Sequence, residues 1–310
     1  MPITLVTGGA GFIGSHVVEK FLAQGHMVRV FDDLSTGATS NLPSLNSSVS
    51  IIKGSILDRQ AIAEAVVGCD FVIHLAAKIS VPESIEHPAE YMEVLVTGSA
   101  IVLDECRKAH VKRVVLASSA AVYGTEVEPP HVEATLSSFR SSPYAVGKLA
   151  MEDLARDFSK RGLPCVCLRL FNVFGPRQNV SSGYAAAIPA FISSVIKGHD
   201  LTVFGDGFQT RDFTYVENVA EAFFRAATLP GVGGSYNIGS GKPTTVNELA
   251  ELILAISQVK VQIVHVPERP GDIKPSFADT TRALKHLGVR EAITLPEGLS
   301  KTWQWFKKTS

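Results

Sequence analysis

The stretch Thr7-Gly8-Gly9-Ala10-Gly11-Phe12-Ile13-Gly14 lies between an apolar run and an amphipathic run. The apolar run, Ile3 to Val6, is typical of a buried strand, and apolar residues then recur at helical spacing until Gly25. The sequence therefore predicts a strand, a glycine turn and a helix. Gly8 suits a tight turn, Gly11 leaves the backbone open to a phosphate group, and Gly14 allows the helix to pack closely on the strand.

A second predicted strand follows this helix and ends in two acidic residues. The strand is Met27 to Phe31, and Asp32 comes 18 residues after Gly14. This spacing completes the fingerprint of a dinucleotide-binding unit, in which the N–H groups at the helix start face the pyrophosphate. A carboxylate here accepts hydrogen bonds from adenosine ribose hydroxyls and repels a 2′-phosphate, so NAD is expected rather than NADP. We assign this role to Asp32 and expect Asp33 to begin a turn.

Composition excludes several classes of protein. The formal net charge is −1 without a dense basic block, so we expect no nucleic-acid partner and no membrane partner. The four cysteines match no zinc spacing, so we expect no metal site and buried free thiols, which suit a reducing cytoplasm. The chain enters a strand at once and has no run of 18 apolar residues, so neither secretion nor a membrane span is expected.

Strands and helices alternate along the chain. Further strands are predicted at Val49 to Lys53, Phe71 to Leu75, Arg113 to Ala117, Cys165 to Phe171 and Val261 to Val266. Helices are predicted at Arg59 to Val67 (capped by Asp58), Tyr91 to Ala109, Tyr144 to Lys160, Ala185 to Ile196, Val216 to Thr228 and Val246 to Ser257, with a final one carrying Leu299, Trp303 and Phe306 in core packing.

This alternation predicts an α/β fold, a doubly wound parallel sheet of the Rossmann type, with a smaller C-terminal α/β substrate-binding region. We expect an NAD-binding domain at residues 1–171, rejoined by part of 212–250, and a mainly substrate-binding domain at 172–310. With 310 residues, the chain is long enough for both.

Tyr144 and Lys148 are four residues apart in a predicted helix and therefore lie on one helix face. A nearby ammonium is expected to lower the tyrosine pKa and make the phenol a usable base. An ordinary amphipathic helix explains the pair alone, but Ser118 and Ser119 end an intervening strand at the sheet edge where ligands bind. We therefore favour catalysis, although one of the serines is as well explained by bonds to local backbone groups.

Taken together, these motifs and His74-Leu75-Ala76-Ala77 resemble the extended short-chain dehydrogenase/reductases, across essentially the whole chain. Within them, the chain is most similar to the NAD-dependent UDP-hexose 4-epimerases, including those for UDP-N-acetylglucosamine. The resemblance implies catalysis by Ser119, Tyr144 and Lys148. The cofactor contacts that it implies are Gly8, Gly11, Phe12, Ile13, Gly14, Asp32, Asp33, Ser55, Ile56, Leu75, Ala76, Ala77, Tyr144 and Lys148. Ser55 departs from the family, which usually has aspartate there.

The resemblance also implies which reaction follows. Related dehydratases carry Asp-Glu where this chain has Ala120 and Ala121, and decarboxylases carry an acid at the second position. Dehydration and decarboxylation are thereby disfavoured. The implied reaction is C4 epimerisation of a UDP-hexose through a 4-keto intermediate, with tightly bound NAD and no net redox change.

Implied substrate contacts lie mainly in the second half of the chain. Asn172, Arg211 and Arg269 match positions that contact the diphosphate, and Asp272 matches a ribose contact. The alternatives are that Asn172 is an ordinary turn residue and that the two arginines form surface ion pairs. Phe204 matches a position that lines the uracil pocket, and core packing is its alternative. The remaining expected substrate contacts are Ser80, Ser118, Ser119, Tyr144, Ala186, Ala187 and Ser276.

Substrate range depends on a few small residues. Ser276 takes a position that is bulky tyrosine in epimerases restricted to non-acetylated sugars, and the stretch 184–189 resembles the acetamido-hexose epimerases. Ser80 is a candidate donor to the acetamide. We therefore expect both UDP-GlcNAc/UDP-GalNAc and UDP-Glc/UDP-Gal as substrates, with the preference open. Pro82 and Glu83 offer no cation to a carboxylate, which weakens a UDP-glucuronate 4-epimerase.

Two other classes of function remain as alternatives. A net oxidoreductase would consume NADH steadily, and a non-catalytic dinucleotide-sensing scaffold would need only the glycine turn and Asp32. Family members commonly dimerise through the helices that contain Tyr91 and Tyr144, so a homodimer is expected.

Overall fold

The chain is described here from a computed structural model, in which residues 1–43, 48–137, 139–179, 186–268 and 275–309 are described. The strands are β1 Ile3–Thr7, β2 Met27–Asp32, β3 Val49–Lys53, β4 Phe71–His74, β5 Arg113–Ser119, β6 Cys165–Leu170, β7 Asn172–Phe174, β8 Leu201–Phe204, β9 Thr210–Arg211, β10 Phe213–Tyr215, β11 Gly234–Ile238, β12 Thr244–Thr245 and β13 Ile263–Val266. The helices are α1 Phe12–Ala23, α2 Arg59–Ala65, α3 Val81–Glu86, α4 Pro88–Met92, α5 Ser99–Lys108, α6 Pro143–Lys160, α7 Ala187–Ile196, α8 Val216–Thr228, α9 Val246–Ser257, α10 Thr281–Leu287 and α11 Leu295–Thr309.

Seven strands form the central sheet in the order β11-β6-β5-β4-β1-β2-β3, and every pairing is parallel. The chain reverses its direction of progress between β1 and β4, where Thr7 pairs with His74. Ligands of open α/β sheets bind in the crevice beyond the strand ends at this reversal. The topology confirms the predicted Rossmann architecture and places the glycine turn after β1 at the binding edge.

Three apolar cores hold the helices in place. On one face of the sheet, α1 and α8 pack with residues such as Phe21 and Phe223 fully buried. On the other face, α2, α5 and α6 contribute Ile62, Val102 and Met151. A third core joins α7, α9 and α11 to β8 and β10, and the two tryptophans of α11 pack against it, as expected.

Several observed elements differ from the predicted ones. The predicted helix at 91–109 is interrupted between α4 and α5 by a π-helical segment, Glu93–Gly98. The Ser99 hydroxyl donates to the carbonyl oxygen of Leu95 at 2.7 Å, a side-chain bond that competes with the regular helix ladder. Strand β5 continues two residues beyond the predicted end because Ser118 and Ser119 still pair with β6.

Strand β11 was not predicted at all. Its sequence, Gly-Ser-Tyr-Asn-Ile, is poor in β-branched residues, and pairing with β6 gives it its place at the sheet edge. Both α8 and β11 come from the part of the chain beyond residue 171, yet β11 belongs to the central sheet and α8 packs on one of its faces. The division into domains at residue 171 stays a prediction.

Two local predictions are confirmed, the cap of α2 and the buried free cysteines. The Asp58 carboxylate accepts hydrogen bonds from the amides of Gln60 and Ala61 at the start of α2. All four cysteines are buried and carry free thiols. In the described part of the chain, no helix is both long and apolar enough to span a bilayer.

Candidate active site

The glycine turn between β1 and α1 is closed by backbone contacts. Gly8 has a φ of +69°, and a Cβ there would lie 2.7 Å from the Ala76 nitrogen. A Cβ on Gly14 would lie 2.1 Å from the Gly8 carbonyl oxygen. Gly11 is the N-cap of α1, and its side-chain-free position leaves the first helical N–H groups, at Phe12 and Ile13, facing outward from the helix start. The turn therefore has the shape of a phosphate cradle.

The two acids after β2 have different partners. The Asp32 carboxylate is buried and accepts hydrogen bonds from the amides of Ala10 and Leu34, both at 2.9 Å. It thereby ties the glycine turn to the loop after β2. Asp33 accepts from the amide and hydroxyl of Ser35, which confirms it as a turn residue.

The other predicted cofactor residues line the same edge of the sheet. Leu75 and Ala76 follow β4, and their amides donate to the carbonyl and hydroxyl oxygens of Thr7 at 3.0 and 3.3 Å. Ala77 packs in a small cluster with Tyr144. Ser55 follows β3, and its hydroxyl accepts from the Leu57 amide at 3.2 Å. Ile56 is buried against Gly98.

Ser119, Tyr144 and Lys148 converge at the end of β5. Tyr144 lies in the first turn of α6, where Pro143 precedes it and the Ser142 hydroxyl caps the helix. The Ser119 hydroxyl donates a hydrogen bond to the phenol oxygen of Tyr144. The Lys148 ammonium donates to the carbonyl oxygen of Ala117 at 2.7 Å and lies 5.8 Å from the centre of the Tyr144 ring.

The electrostatics of this group differ from the prediction. Burial raises the pKa of Tyr144, and the hydrogen bond from Ser119 opposes that rise only in part. Burial also lowers the pKa of Lys148 to about 8. The expectation that Lys148 brings the Tyr144 pKa down is wrong for the protein alone, because desolvation outweighs every other influence on the phenol. The phenol of the protein alone therefore has a higher pKa than an ordinary tyrosine.

Ser118 has a different environment from Ser119. Its hydroxyl is 3% exposed and donates to the Glu152 carboxylate inside the protein. We correct its assignment as a substrate contact, because this buried acceptor already holds the hydroxyl. The Ser119 hydroxyl, in contrast, is shared between the Tyr144 phenol and the Ala121 amide.

His74 joins β1, β4 and the π-helical segment, a role that was missed although its motif was noted. Its Nε2–H donates to Ser99, whose own proton goes to Leu95, and its Nδ1 accepts from the Thr7 hydroxyl at 2.8 Å. Burial and the Lys148 charge lower the pKa of His74 to about 3. The imidazole is thus neutral, and its hydrogen bonds to Thr7 and Ser99 connect β1 and α5 to β4 next to the predicted cofactor crevice.

Several predicted substrate residues lie near Asp212 or near its partners along the chain, and the Asp212 side chain is buried. Asn172 begins β7 and pairs with β10, and its amide nitrogens donate to the Asp212 carbonyl oxygen. Arg211 is the last residue of β9, and Asp212 follows it directly. Ser276 comes two residues before Ala278, whose amide donates to the Asp212 carboxylate at 3.0 Å.

The sequence analysis quoted the motif around Asp212 but named only its arginine. The Asp212 carboxylate also accepts from the amides of Ser240 and Gly241 and from the Ser240 hydroxyl. It therefore holds three segments of chain together. No local pattern predicts this, because the partners lie 28 to 66 residues away.

The remaining predicted substrate residues lie on separate elements. The Ser80 hydroxyl caps α3, and its amide donates at 3.0 Å to the hydroxyl of Tyr91, which packs with Tyr144. Ala186 and Ala187 begin α7, and Phe204 ends β8 beside Val266. Arg269 and Asp272 lie outside the described residues, as do positions 184 and 185.

A profile of the NAD dependent epimerase/dehydratase family matches residues 4–239, three quarters of the chain. The chain belongs to this family. A UDP-glucose 4-epimerase from Mycolicibacterium smegmatis is 37% identical over 99% of both chains. A UDP-N-acetyl-alpha-D-glucosaminuronate decarboxylase from Bacillus cytotoxicus is 35% identical, covering 98% of this chain and 97% of that one. The solved structure of a UDP-N-acetylglucosamine 4-epimerase from Methanobrevibacter ruminantium, in complex with UDP-N-acetylmuramic acid, shares 37% identity and a TM-score of 0.95 over 100% of this chain and 99% of that one.

Family membership confirms the predicted fold and NAD as the cofactor. The similar proteins include epimerases and a decarboxylase at almost equal identity. Overall sequence identity therefore does not distinguish epimerisation from decarboxylation, and the residues beside the sugar have to be compared instead. In this chain the two residues after Ser119 are Ala120 and Ala121, and neither can transfer a proton.

Proposed function

We propose that this NAD-dependent enzyme epimerises UDP-hexoses at C4, reversibly and without net redox change. The observation that carries the proposal is the convergence of Ser119, Tyr144 and Lys148 at the sheet edge that also carries the glycine turn. The absence of any acid at Ala120 and Ala121 favours epimerisation over dehydration and decarboxylation.

The residues at the sheet edge fit NAD. The pyrophosphate requires free N–H groups and close backbone approach, which the uncapped start of α1 and Gly11 offer. Asp32 lies at the end of β2, where the adenosine ribose is held in this fold. When bound, NAD supplies a reversible hydride acceptor at its nicotinamide ring, and its positive charge favours the ionised form of a nearby phenol.

The protein's own side chains act on the proton and the oxygen of the sugar 4-hydroxyl group. Tyr144 as phenolate takes the proton of the sugar 4-hydroxyl while bound NAD would accept the C4 hydride, and Ser119 donates a hydrogen bond to the reacting oxygen. Lys148 stabilises the phenolate by its charge and would donate to a nicotinamide ribose hydroxyl of bound NAD. The 4-keto sugar turns about its bond to the diphosphate, and the hydride returns to the opposite face. Tyr144 then gives the proton back, so the configuration at C4 is inverted.

The UDP group requires cations for its phosphates, and we assign this task to Arg211 and Arg269, with Asn172 beside them and Asp272 on the ribose. Phe204 lines the uracil site. The small side chains of Ser276, Ala186 and Ala187 leave room for a 2-acetamido group. We therefore propose activity on both acetylated and non-acetylated UDP-hexoses.

A product assay on four substrates tests the proposal: UDP-glucose, UDP-galactose, UDP-GlcNAc and UDP-GalNAc. We expect C4 inversion of at least one pair, with no accumulation or loss of NADH at 340 nm. UDP-glucuronate serves as the competing substrate, and we expect no turnover of it. Steady NADH consumption would instead indicate a net oxidoreductase, and a Tyr144→Phe variant with wild-type activity would remove the catalytic assignment.

We also propose that the enzyme is a homodimer in the cytoplasm. Four buried free thiols suit a reducing compartment. Two apolar side chains are exposed in this region: Val146 lies on α6, one of the helices that family members use to dimerise, and Ile85 lies on α3, directly before the helix that contains Tyr91. Sedimentation velocity is expected to give twice the chain mass of 33.2 kDa, and Val146→Glu is expected to shift it toward the monomer.

A further inference from the structure

Glu152 extends the catalytic face of α6 into the protein interior. It follows Tyr144 by eight residues and Lys148 by four, so the three side chains share one helix face. Its side chain is 1% exposed and pairs with Arg169 of β6, which is 3% exposed. The Nε and Nη2 atoms of Arg169 donate to its two carboxylate oxygens at 2.9 and 2.8 Å. The hydroxyls of Ser118 and Ser235 complete the shell.

The other edge of the Arg169 guanidinium contacts residues outside α6. Its Nη1 donates to the Tyr123 hydroxyl at 3.1 Å and to the Glu133 carbonyl at 3.0 Å. The Tyr123 hydroxyl in turn donates to the side-chain oxygen of Asn237 on β11. The ion pair is thus connected to two further parts of the chain. One is the segment that follows Ser119 at the end of β5, and the other is β11 at the edge of the sheet.

Asn237 carries the connection to the predicted sugar site. Its Nδ2 donates to the carbonyl oxygens of His131 and Asp279 at 2.7 and 3.2 Å. His131 and Ala278 also form a β-bridge. Asp279 is three residues after Ser276, the residue that we expect to set the room for the sugar. A continuous set of hydrogen bonds therefore links the catalytic helix to that segment.

Stability alone does not account for this pair. A buried ion pair gains little over well-packed apolar side chains of similar size, because both ions lose their hydration. The pair instead makes hydrogen bonds at both edges of the guanidinium and joins four separate parts of the chain, which is the arrangement that limits relative movement.

We propose that Glu152 and Arg169 are positioning residues that set the distance between the Tyr144 phenol and the sugar held by residues 275–279. This proposal rests on the proposed function. Neither residue touches substrate in it. Their effect on the reaction arises because a displacement of about 1 Å at a reacting group lowers the rate by about 100-fold.

Glu152 also acts on Lys148 through its charge. The carboxylate raises the pKa of Lys148, as Cys167 on β6 does, while burial lowers it. Tyr144 on the same helix and the neutral His74 on β4 are the other titratable groups facing the ammonium. Loss of the carboxylate therefore lowers the Lys148 pKa further, and the ammonium is lost at a lower pH.

The test is the double variant Glu152→Met with Arg169→Met, which leaves no buried charge unpaired. We expect a melting temperature close to wild type, about 10-fold or greater loss of kcat, and an alkaline limb of the kcat profile at lower pH. The control is Glu105→Gln, which removes the carboxylate that pairs with the exposed cations Arg59 and Lys108 at α2 and α5, on the same face of the sheet but outside the connection described above. It is expected to leave kcat and the pH profile unchanged.

A second variant keeps the proposal testable if the double variant does not fold. Tyr123→Phe removes only the hydroxyl between Arg169 and Asn237, and the ring still stacks on His131 at 4.6 Å. We expect KM for the UDP-sugar to rise several-fold with kcat nearly unchanged. Wild-type kcat, KM and pH profile in the double variant, or an unchanged KM in Tyr123→Phe, would overturn the proposal.

A readout that needs no turnover separates this proposal from the proposed function. Hydrogen exchange at the amides of Ala278 and Asp279 is expected to be faster in Tyr123→Phe than in wild type, because both lie at the far end of the connection. If the wild-type enzyme turns over none of the UDP-hexoses, the proposed function fails. The hydrogen-exchange rate alone then tests whether Glu152 and Arg169 are connected to residues 275–279. Unchanged exchange would then contradict the proposal.

Discussion

Gly14→Ala tests the account of the cofactor cradle most severely among single substitutions. An added Cβ would lie 2.1 Å from the Gly8 carbonyl oxygen and 2.7 Å from the Gly9 Cα, whereas ordinary contacts begin at 3.4 Å. Relief of the first contact therefore requires a shift of 3.4 − 2.1 = 1.3 Å. Both opposing atoms belong to the backbone of the turn, so the turn or the start of α1 must move.

Two effects on stability oppose each other in this variant. Alanine in place of glycine within a helix is worth about 1 kcal/mol, and overpacking costs about 1–3 kcal/mol. We therefore expect a small net loss of stability. Cofactor binding is expected to suffer much more, because the N–H groups that face the pyrophosphate move by about 1 Å, and the loss is on the order of 100-fold in affinity.

The assay measures NAD retained per protein chain after gel filtration, together with the dissociation constant for NAD. The matched control is Gly233→Ala, because a Cβ at Gly233 meets nothing within 4 Å. It should leave both quantities unchanged. If Gly14→Ala retained NAD as well as wild type does, the reasoning about the cradle would be refuted.

Three further predictions concern the chemistry and the substrate range. Ser119→Ala is expected to lower kcat by about 10²-fold because the reacting oxygen loses a hydrogen-bond donor. Ser118→Ala should mainly lower the melting temperature. Equal effects of the two variants on kcat would contradict the different roles assigned to the two serines. Activity is expected to fall as pH rises above about 8, since Lys148 with its lowered pKa then loses its proton; a profile flat from pH 7 to 10 would disagree. Ser276→Tyr should lower kcat/KM for UDP-GlcNAc at least 10-fold relative to UDP-glucose, and an unchanged ratio would exclude Ser276 as the gate.

The parts of the fold that depend on local signals were predictable from the sequence. The glycine turn, Asp32 and the Asp58 cap follow from backbone conformation and short-range hydrogen bonds, which neighbouring residues determine. The proximity of Tyr144 and Lys148 was predictable because helical spacing places residues four apart on one face.

Other features depend on distant partners and were not predictable. Strand β11 has few strand-forming residues, and it exists because β6 offers a pairing edge and because Asn237 bonds to two carbonyls. Arg169 and Asp212 were passed over because their partners lie far along the chain. The pKa of Tyr144 was predicted in the wrong direction, since the degree of burial is a property of the assembled site.

Isotope labelling tests the central claim, transient oxidation at C4 with return of the same hydride. UDP-galactose with deuterium at C4 is incubated with the enzyme in ordinary water, and the UDP-glucose formed is analysed by mass spectrometry and NMR. The account predicts that the deuterium remains at C4 of the product, because the hydride stays inside the site and only the hydroxyl proton passes through Tyr144. Replacement of the deuterium by solvent hydrogen would show proton abstraction at carbon and would contradict the account.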